Sequence, residues 1–399
     1  MNARPTILCI SSYEKGQRFL EEAATHAVDV MLLTNEGLRD AEWPREILAD
    51  FFTMPDQISA DEVMTRVYEI SRHVKIDRVV ALDEFDLEAA ALVREEMRLP
   101  GMGQTTTRHF RDKLAMRTRA QQAGFVVPPF TGVFHHDSLR RWMDTVPGPW
   151  LLKPRTSAGA IGIRKIASPK ELWRTLEELG ESQNAFLLEK FIPGDVFHVD
   201  SICWGRKVLS QEVHAYGVPP MELMYGGGVS STRTLPRDGQ LARDLRSVDQ
   251  ELVPALGMVS GVTHSEYIRD EAGELYFLES AARVGGAYIA DVIEAATGIN
   301  PWVEWARIEV AMLFGEGYGL PRTAKNYAGS VICLARQESP DLSGFAAPEI
   351  VLRLKKHHHA GLIVASESWK RVAELVTEYR DRFADEFVAT APVPDRPTS

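Results

Sequence analysis

The sequence predicts two folding styles in one chain, α/β followed by α+β. Three observations carry this: apolar strands separated by helical segments through the first hundred residues, short strands crowding beyond residue 150, and turn-forming clusters between the two. Thr6–Ile10 reads as an apolar strand, Gly16–Ala27 as a helix and Val28–Leu33 as a second strand. Ala60–Val74 is helical, with Val63, Val67 and Ile70 on one face; Asp77–Leu82 is a strand and Leu87–Met97 a helix. Strands without polar alternation belong in a parallel sheet covered on both faces, so residues 1–105 form an open parallel α/β domain. Loop signals lie at Leu99–Thr107, Val127–Pro129 and Val146–Pro149. Strands then follow at Trp150–Lys153, Gly162–Ile166, Phe186–Phe191, Phe197–Trp204 and Lys207–Val213, with a helix at Pro169–Leu179. A β-rich stretch, Ser260–Glu279, precedes helices at Tyr288–Thr297 and Pro301–Leu313; strands at Gly329–Leu334 and Gly361–Ala365 and a helix at Glu367–Phe383 complete the pattern. The expected units are 1–105, 106–190 and 191–388, with a disordered, proline-rich tail at 389–399.

Composition narrows the function. The chain has 399 residues, 45% hydrophobic and 25% charged, the proportions of a globular protein. Its 45 Lys and Arg against 56 Asp and Glu leave a net charge of −11, which argues against nucleic acid as a partner. No run approaches the ~18 apolar residues of a membrane span, and no signal-peptide core follows Met1, so a cytoplasmic protein is expected. Cys9, Cys203 and Cys333 are too dispersed for a disulfide framework or a metal knuckle. The dinucleotide fingerprint and the Walker A motif are both absent.

Two constellations carry chemistry. In the first, a strand delivers Lys153 into a small-residue loop, Ser157-Ala158-Gly159-Ala160-Ile161-Gly162, before a second strand. Small residues let backbone N–H groups approach phosphate oxygens; the alternative is a flexible hairpin tip with a solvated lysine. In the second, Thr263–Ile268 and Leu275–Glu279 flank a turn at Asp270–Gly273. A two-residue turn at Ala272-Gly273 or a four-residue loop from Glu271 to Glu274 sets Glu266 opposite Glu279 and Ile268 opposite Phe277. Carboxylates so placed have Cβ atoms about 4.5–5.5 Å apart and repel by about 3 kcal/mol at an effective dielectric near 20. A shared divalent cation relieves that repulsion. Just beyond, Arg283 and the pair Gly285-Gly286 suit a guanidinium held over a transferring phosphate. Met224–Arg233, rich in glycine, reads as a mobile loop with Arg233 a candidate carboxylate partner. Asp83-Glu84 ends a strand on the side where open parallel sheets bind ligands. His357–His359 reads as an exposed turn, since neighbouring strand positions face opposite ways.

The order of these parts, from Arg111-Asp112-Lys113 through Lys153, Glu189-Lys190-Phe191-Ile192 and His264-Ser265-Glu266 to Glu279-Ser280-Ala281-Ala282-Arg283-Val284-Gly285-Gly286, resembles the ATP-grasp superfamily preceded by its usual α/β domain. Within it the chain is most similar to the L-amino-acid (dipeptide) ligases. The resemblance implies that 106–190 is a lid and 191–388 the catalytic subdomain. It implies that Lys113 and Lys153 reach ATP phosphates, with Ser157, Ala158, Gly159 and Gly162 closing over them. Glu189, with the main chain of Lys190 and Ile192, would read adenine. Glu266 and Glu279 would hold Mg²⁺, with Mn²⁺ an alternative, and Arg283 would stabilise the transferred phosphoryl. The substrates implied are a small carboxylate and an amine, and the assembly a homodimer. Two departures stand out. Ala281 replaces a usual metal-bridging Asn, and the usual ribose acid falls on Val196, leaving Asp195, His198 and Asp200 as ribose candidates. Other readings are a carboxylating or purine-pathway enzyme of the same superfamily, and a nucleotide-binding module without turnover.

Overall fold

The computed structural model describes residues 4–389. The chain opens with β1 (Thr6–Ser11), α1 (Gln17–Ala24), β2 (Asp29–Asn35), β3 (Asp50–Met54), α2 (Ala60–Ser71), β4 (Arg78–Ala81) and α3 (Leu87–Glu96). These strands make a parallel sheet in the order β3-β2-β1-β4. Side chains alternate across it: Leu8 and Ile10 join a core with Met64, Val67 and Val93, while Ile7 and Cys9 join another with Phe19 and Leu20. Both faces are therefore covered, which is why β1 is apolar throughout. The edge strand β3, with its exposed Asp50, has no such pattern and is an addition to the expected elements.

A second group comprises α4 (Gln104–Arg108), α5 (Lys113–Gln122), β5 (Phe130–Gly132), α6 (His136–Thr145), β6 (Trp150–Pro154), β7 (Arg164–Ile166), α7 (Pro169–Leu179) and β8 (Phe186–Lys190). The strands form an antiparallel sheet, β5-β8-β6-β7. Trp150, Leu152 and Leu188 pack there against Leu139, Leu172 and Leu176 of the two covering helices.

The remainder builds β9 (Asp195–Trp204), β10 (Lys207–Tyr216), α8 (Pro220–Gly226), β11 (Ser230–Thr234), α9 (Gln240–Leu256), β12 (Gly261–Arg269), β13 (Leu275–Ala281), α10 (Ile289–Thr297), α11 (Pro301–Phe314), β14 (Tyr327–Leu334), β15 (Ile350–Arg353), β16 (His359–Ser366) and α12 (Trp369–Glu386). Its eight strands run β13-β12-β9-β10-β11-β14-β16-β15, every pair antiparallel. Helix α9 is absent from the sequence reading although Ala242, Leu245, Leu252 and Leu256 recur at helical spacing. The core position between them is Asp249, which breaks the apolar stripe; its carboxylate accepts hydrogen bonds from Ser201 (2.5 Å) and Tyr267 (2.8 Å).

Met116 and Ala120 of α5 share a core with Leu252, Leu256 and Phe277, so this helix packs on the large sheet while Arg117 on it reaches Glu189 of the small one. The backbone N–H of Ala389 bonds Leu334 (2.9 Å), tying that residue to the large sheet, and the expected tail from 390 onward lies outside the described residues. The first sheet docks through α1 onto α11, with Phe19 edge-on to Trp305 at 5.3 Å and a buried Arg78–Glu309 ion pair beneath. Among the described residues no helix is long and apolar enough to cross a membrane.

Candidate active site

Strands β12 and β13 bring Glu266 directly opposite Glu279 and His264 opposite Ala281. Further along the hairpin the register differs from expectation: Phe277 pairs with Tyr267, not Ile268. The cause is two one-residue offsets that cancel only at the glutamates. The N–H of Asp270 bonds Glu274 (3.0 Å), which leaves an odd loop of Glu271, Ala272 and Gly273, the last in the left-handed region at φ 90°. Leu278 then bulges out of the ladder and restores the pairing.

The two lysines converge on this hairpin from different elements. Asp112 caps α5 through the backbone N–H of Leu114 (3.0 Å), which starts the helix at Lys113. The Lys113 ammonium lies 2.9 Å from the Glu279 carboxylate and donates to the Ser157 carbonyl (2.6 Å). Burial opposes ionisation of Glu279, yet Lys113, with Lys153 and Arg117 behind it, holds its carboxyl down at about 2. Lys153 on β6 pairs with Glu189 on β8. Arg117, one turn along α5 from Lys113, also reaches Glu189 (3.2 Å). Sequence reasoning missed Arg117, though its i,i+4 spacing from Lys113 places both on one helix face. Glu189 is thus a correction. Its carboxylate, expected at adenine, is buried between two cations that keep it ionised despite burial. The backbone N–H of Lys190 is taken by the Pro129 carbonyl (2.8 Å).

The loop from Ser157 to Gly162 joins β6 to β7, with Gly159, Ala160 and Gly162 all at positive φ. A Cβ at Gly162 would sit 2.9 Å from the Pro154 ring, so the turn needs glycine on two counts. Part of the segment expected to be a mobile loop is the helix α8, and its Tyr225 hydroxyl donates to the Ile163 carbonyl (2.5 Å). Arg233 is a second correction. It lies on β11, where strand alternation turns it from the Thr232 face toward α12, with its guanidinium 5.8 Å from the Trp369 ring.

The first sheet adds residues at its C-terminal edge. Glu84 pairs with Arg283, whose Nε donates to it at 3.0 Å, and lies 3.5 Å from Arg111. Lys15 pairs with Asp83 (2.6 Å), and Asp86 accepts from the Ser12 N–H (2.8 Å). Burial, reinforced by Asp83, pushes the Asp86 carboxyl up to about 7. Lys15 carries no local signal that could have marked it, whereas Arg111 stands in the Arg111-Asp112-Lys113 run without an expected role.

Behind Glu266 lies a buried polar network. The Tyr216 hydroxyl donates to Glu266 (2.9 Å), and His264 Nε2 stands 3.6 Å from the same oxygen. Asp200 lies between His264 Nδ1 (2.9 Å) and His198 Nδ1 (2.6 Å), confirming that His198 and Asp200 share a strand face. Burial works against protonation of His264, but Asp200 and Glu266 outweigh it and push the imidazole up to about 10. Of the ribose candidates, His198 and Asp200 are therefore engaged in this network, and Asp195 is exposed at the start of β9. Gly285 closes over the network, since a Cβ there would sit 3.0 Å from Asp200 and from His264, whereas Gly286 faces open space. His357 and His358 occupy an exposed turn before β16.

Residues 110–287, the span that carries both lysines and both acids, match the family model described as ATP-grasp domain. Within that class the chain is similar to amino-acid ligases. It is 24% identical over 269 residues to an L-arginine-specific L-amino acid ligase of Bacillus subtilis, spanning 66% of this chain and 65%, under two thirds, of that protein. It is 22% identical over 335 residues to an alanine–anticapsin ligase of Bacillus subtilis, covering 75% of this chain and 68% of the relative. An L-amino acid ligase from Bacillus licheniformis superposes with a TM-score of 0.76 at 20% identity, covering 98% of this chain and 100% of the other. The same fold, at a TM-score of 0.72 and 14% identity, occurs in N5-carboxyaminoimidazole synthetase from Staphylococcus aureus, with 96% and 99% coverage.

Proposed function

We propose that this chain is an ATP-dependent carboxylate–amine ligase that activates an amino-acid carboxylate as an acyl phosphate and passes it to an amine. One observation carries the reading: Lys113 meets Glu279 at 2.9 Å, Glu279 faces Glu266 across the ladder, and Lys153 lies close enough to depress the Glu279 carboxyl. Two acids fixed face to face fit a divalent cation, and Glu266 and Glu279 would hold Mg²⁺ or Mn²⁺. When bound, such a cation neutralises phosphate oxygens.

The chain's own groups supply the rest. Lys113 and Lys153 offset the phosphate charge, and the Ser157–Gly162 backbone closes over it. Their geometry is set beforehand, by Ser157 for one ammonium and Glu189 for the other, which lowers the reorganisation needed at reaction. Substrate carboxylate oxygen attacks the γ-phosphorus and the bond to the β-phosphate oxygen breaks, leaving ADP. The amine nitrogen then attacks the acyl carbon, phosphate departs, and the nitrogen loses a proton to form the amide. Arg283, held by Glu84, would stabilise charge on the transferred group. The names of the relatives support amino acids as substrates.

The test is a screen of amino-acid pairs read by phosphate and ADP release, with products identified by mass spectrometry. An amide product with stoichiometric ADP is expected. AMP in place of ADP would remove the acyl-phosphate mechanism, and turnover that requires bicarbonate would move the chain to the carboxylating branch of the superfamily.

A further inference from the structure

The hairpin that carries the acids has four cleft-facing corners: His264 and Glu266 on β12, Glu279 and Ala281 on β13. Ala281 offers a methyl group and no ligand atom. Its cross-strand neighbour His264 presents Nε2 at 3.6 Å from Glu266 Oε1. Two atoms each about 2.1 Å from one ion, at 90–120°, lie about 3.0–3.6 Å apart, so this separation suits joint ligation. The opposite ring nitrogen, Nδ1, is held by Asp200 Oδ1 at 2.9 Å. A ligating histidine characteristically gives its other N–H to a carboxylate, which fixes the tautomer and leaves a lone pair for the metal. Asp200 is itself fixed: its second oxygen lies 2.6 Å from His198 Nδ1, and His198 Nε2 lies 2.8 Å from the Thr232 hydroxyl. At these hydrogen-bond separations His198 and Asp200 orient His264 and do not form a separate ion site. All three side chains are buried, and the Tyr216 hydroxyl, which donates to Glu266, lies 3.4 Å from His264 Nε2.

We propose that His264 is a third protein ligand of the divalent-cation site, through Nε2, with Asp200 as its positioning residue. The proposal rests on the Glu266–Glu279 reading of the previous section. On binding, the ion takes the place of the Nε2 proton, which passes to solvent. An imidazole nitrogen suits Mn²⁺ better than the harder Mg²⁺, so the site favours Mn²⁺.

The experiment needs no turnover. The Mn²⁺–ADP complex of protein labelled with ¹⁵N-histidine is observed by pulsed electron paramagnetic resonance. One directly bound ¹⁵N is expected, and it disappears in His264→Gln. Calorimetric Mn²⁺ affinity in the presence of ADP falls about 10–100-fold in Asp200→Asn, at least as much in His264→Gln, and Mg²⁺ affinity falls less in both. No ¹⁵N coupling in the unsubstituted protein overturns the proposal without reference to any variant's folding, and so does a coupling that survives His264→Gln. Coupling without amide synthesis would refute the ligase reading alone, whereas ADP-forming ligation without coupling would refute only the role of His264.

Discussion

Glu189→Gln separates a structural carboxylate from a base-reading one. The buried Glu189 carboxylate lies 3.2 Å from Arg117 and also pairs with Lys153. At an effective dielectric of about 20, one unit pair at the Arg117 distance is worth roughly 5 kcal/mol. Desolvation of the ions offsets much of that in the native protein, but the variant leaves two buried cations with only the more distant Glu279 as counter-charge. That is the costly case, about 3–5 kcal/mol. Equilibrium urea unfolding followed by tryptophan fluorescence reads it, because Trp150 packs in the same small sheet. Pairing Glu189→Gln with Lys153→Met should recover part of the loss, giving a coupling of about 0.5–3 kcal/mol. A single variant that loses less than about 1 kcal/mol yet binds ATP poorly would refute this reasoning and return Glu189 to the adenine.

Arg283→Met should lower turnover about 10²–10³-fold while ATP affinity, measured by calorimetry, stays close to the original; equal losses in both would place Arg283 at the nucleotide instead. Arg233→Met should leave kcat/KM unchanged, because the side chain faces Trp369 and α12; a large rise in KM for the carboxylate would restore its substrate role. Asp86, held at about 7 by burial and by Asp83, binds a proton that the unfolded chain has released. From an unfolded value of about 3.9, the native state therefore holds more protons between about pH 4 and 7. Stability falls as pH rises through that window, by on the order of 4 kcal/mol for this group, and levels off above it. Calorimetry of Asp86→Asn at pH 4.5 and pH 8 should show relative stabilisation at the higher pH, and the opposite sign would exclude the buried neutral carboxyl.

Much of the architecture is legible locally. Apolar runs without alternation announce β1 and β2, and the acids of the β12–β13 hairpin face each other as expected, although through a three-residue turn and a bulge that offset one another. Where local reading fails, the reason is identifiable. Asp249 interrupts the stripe of α9 because its partners, Ser201 and Tyr267, come from other elements. The register at Phe277 shifts because the turn holds three residues, Glu271 to Gly273, and a bulge at Leu278 then restores the pairing of the acids; composition betrays neither. Arg233 looks like a loop residue in a glycine-rich segment, yet the pairing of β11 with β14 makes it a strand residue whose side is fixed by parity.

Local pattern sufficed for most strands and helices, though not for β3 or α9, and for the order in which a lysine-bearing loop and a pair of acids come, since each depends on neighbours a few residues apart. What those groups touch depends on how distant elements pack. Lys113 meets Glu279, Glu84 meets Arg283, and Asp200 bridges two histidines on β9 and β12. Such partners lie up to 199 residues apart in the chain. They meet because three sheets pack around one cleft, and the charge state and direction of each side chain follow from that enclosure.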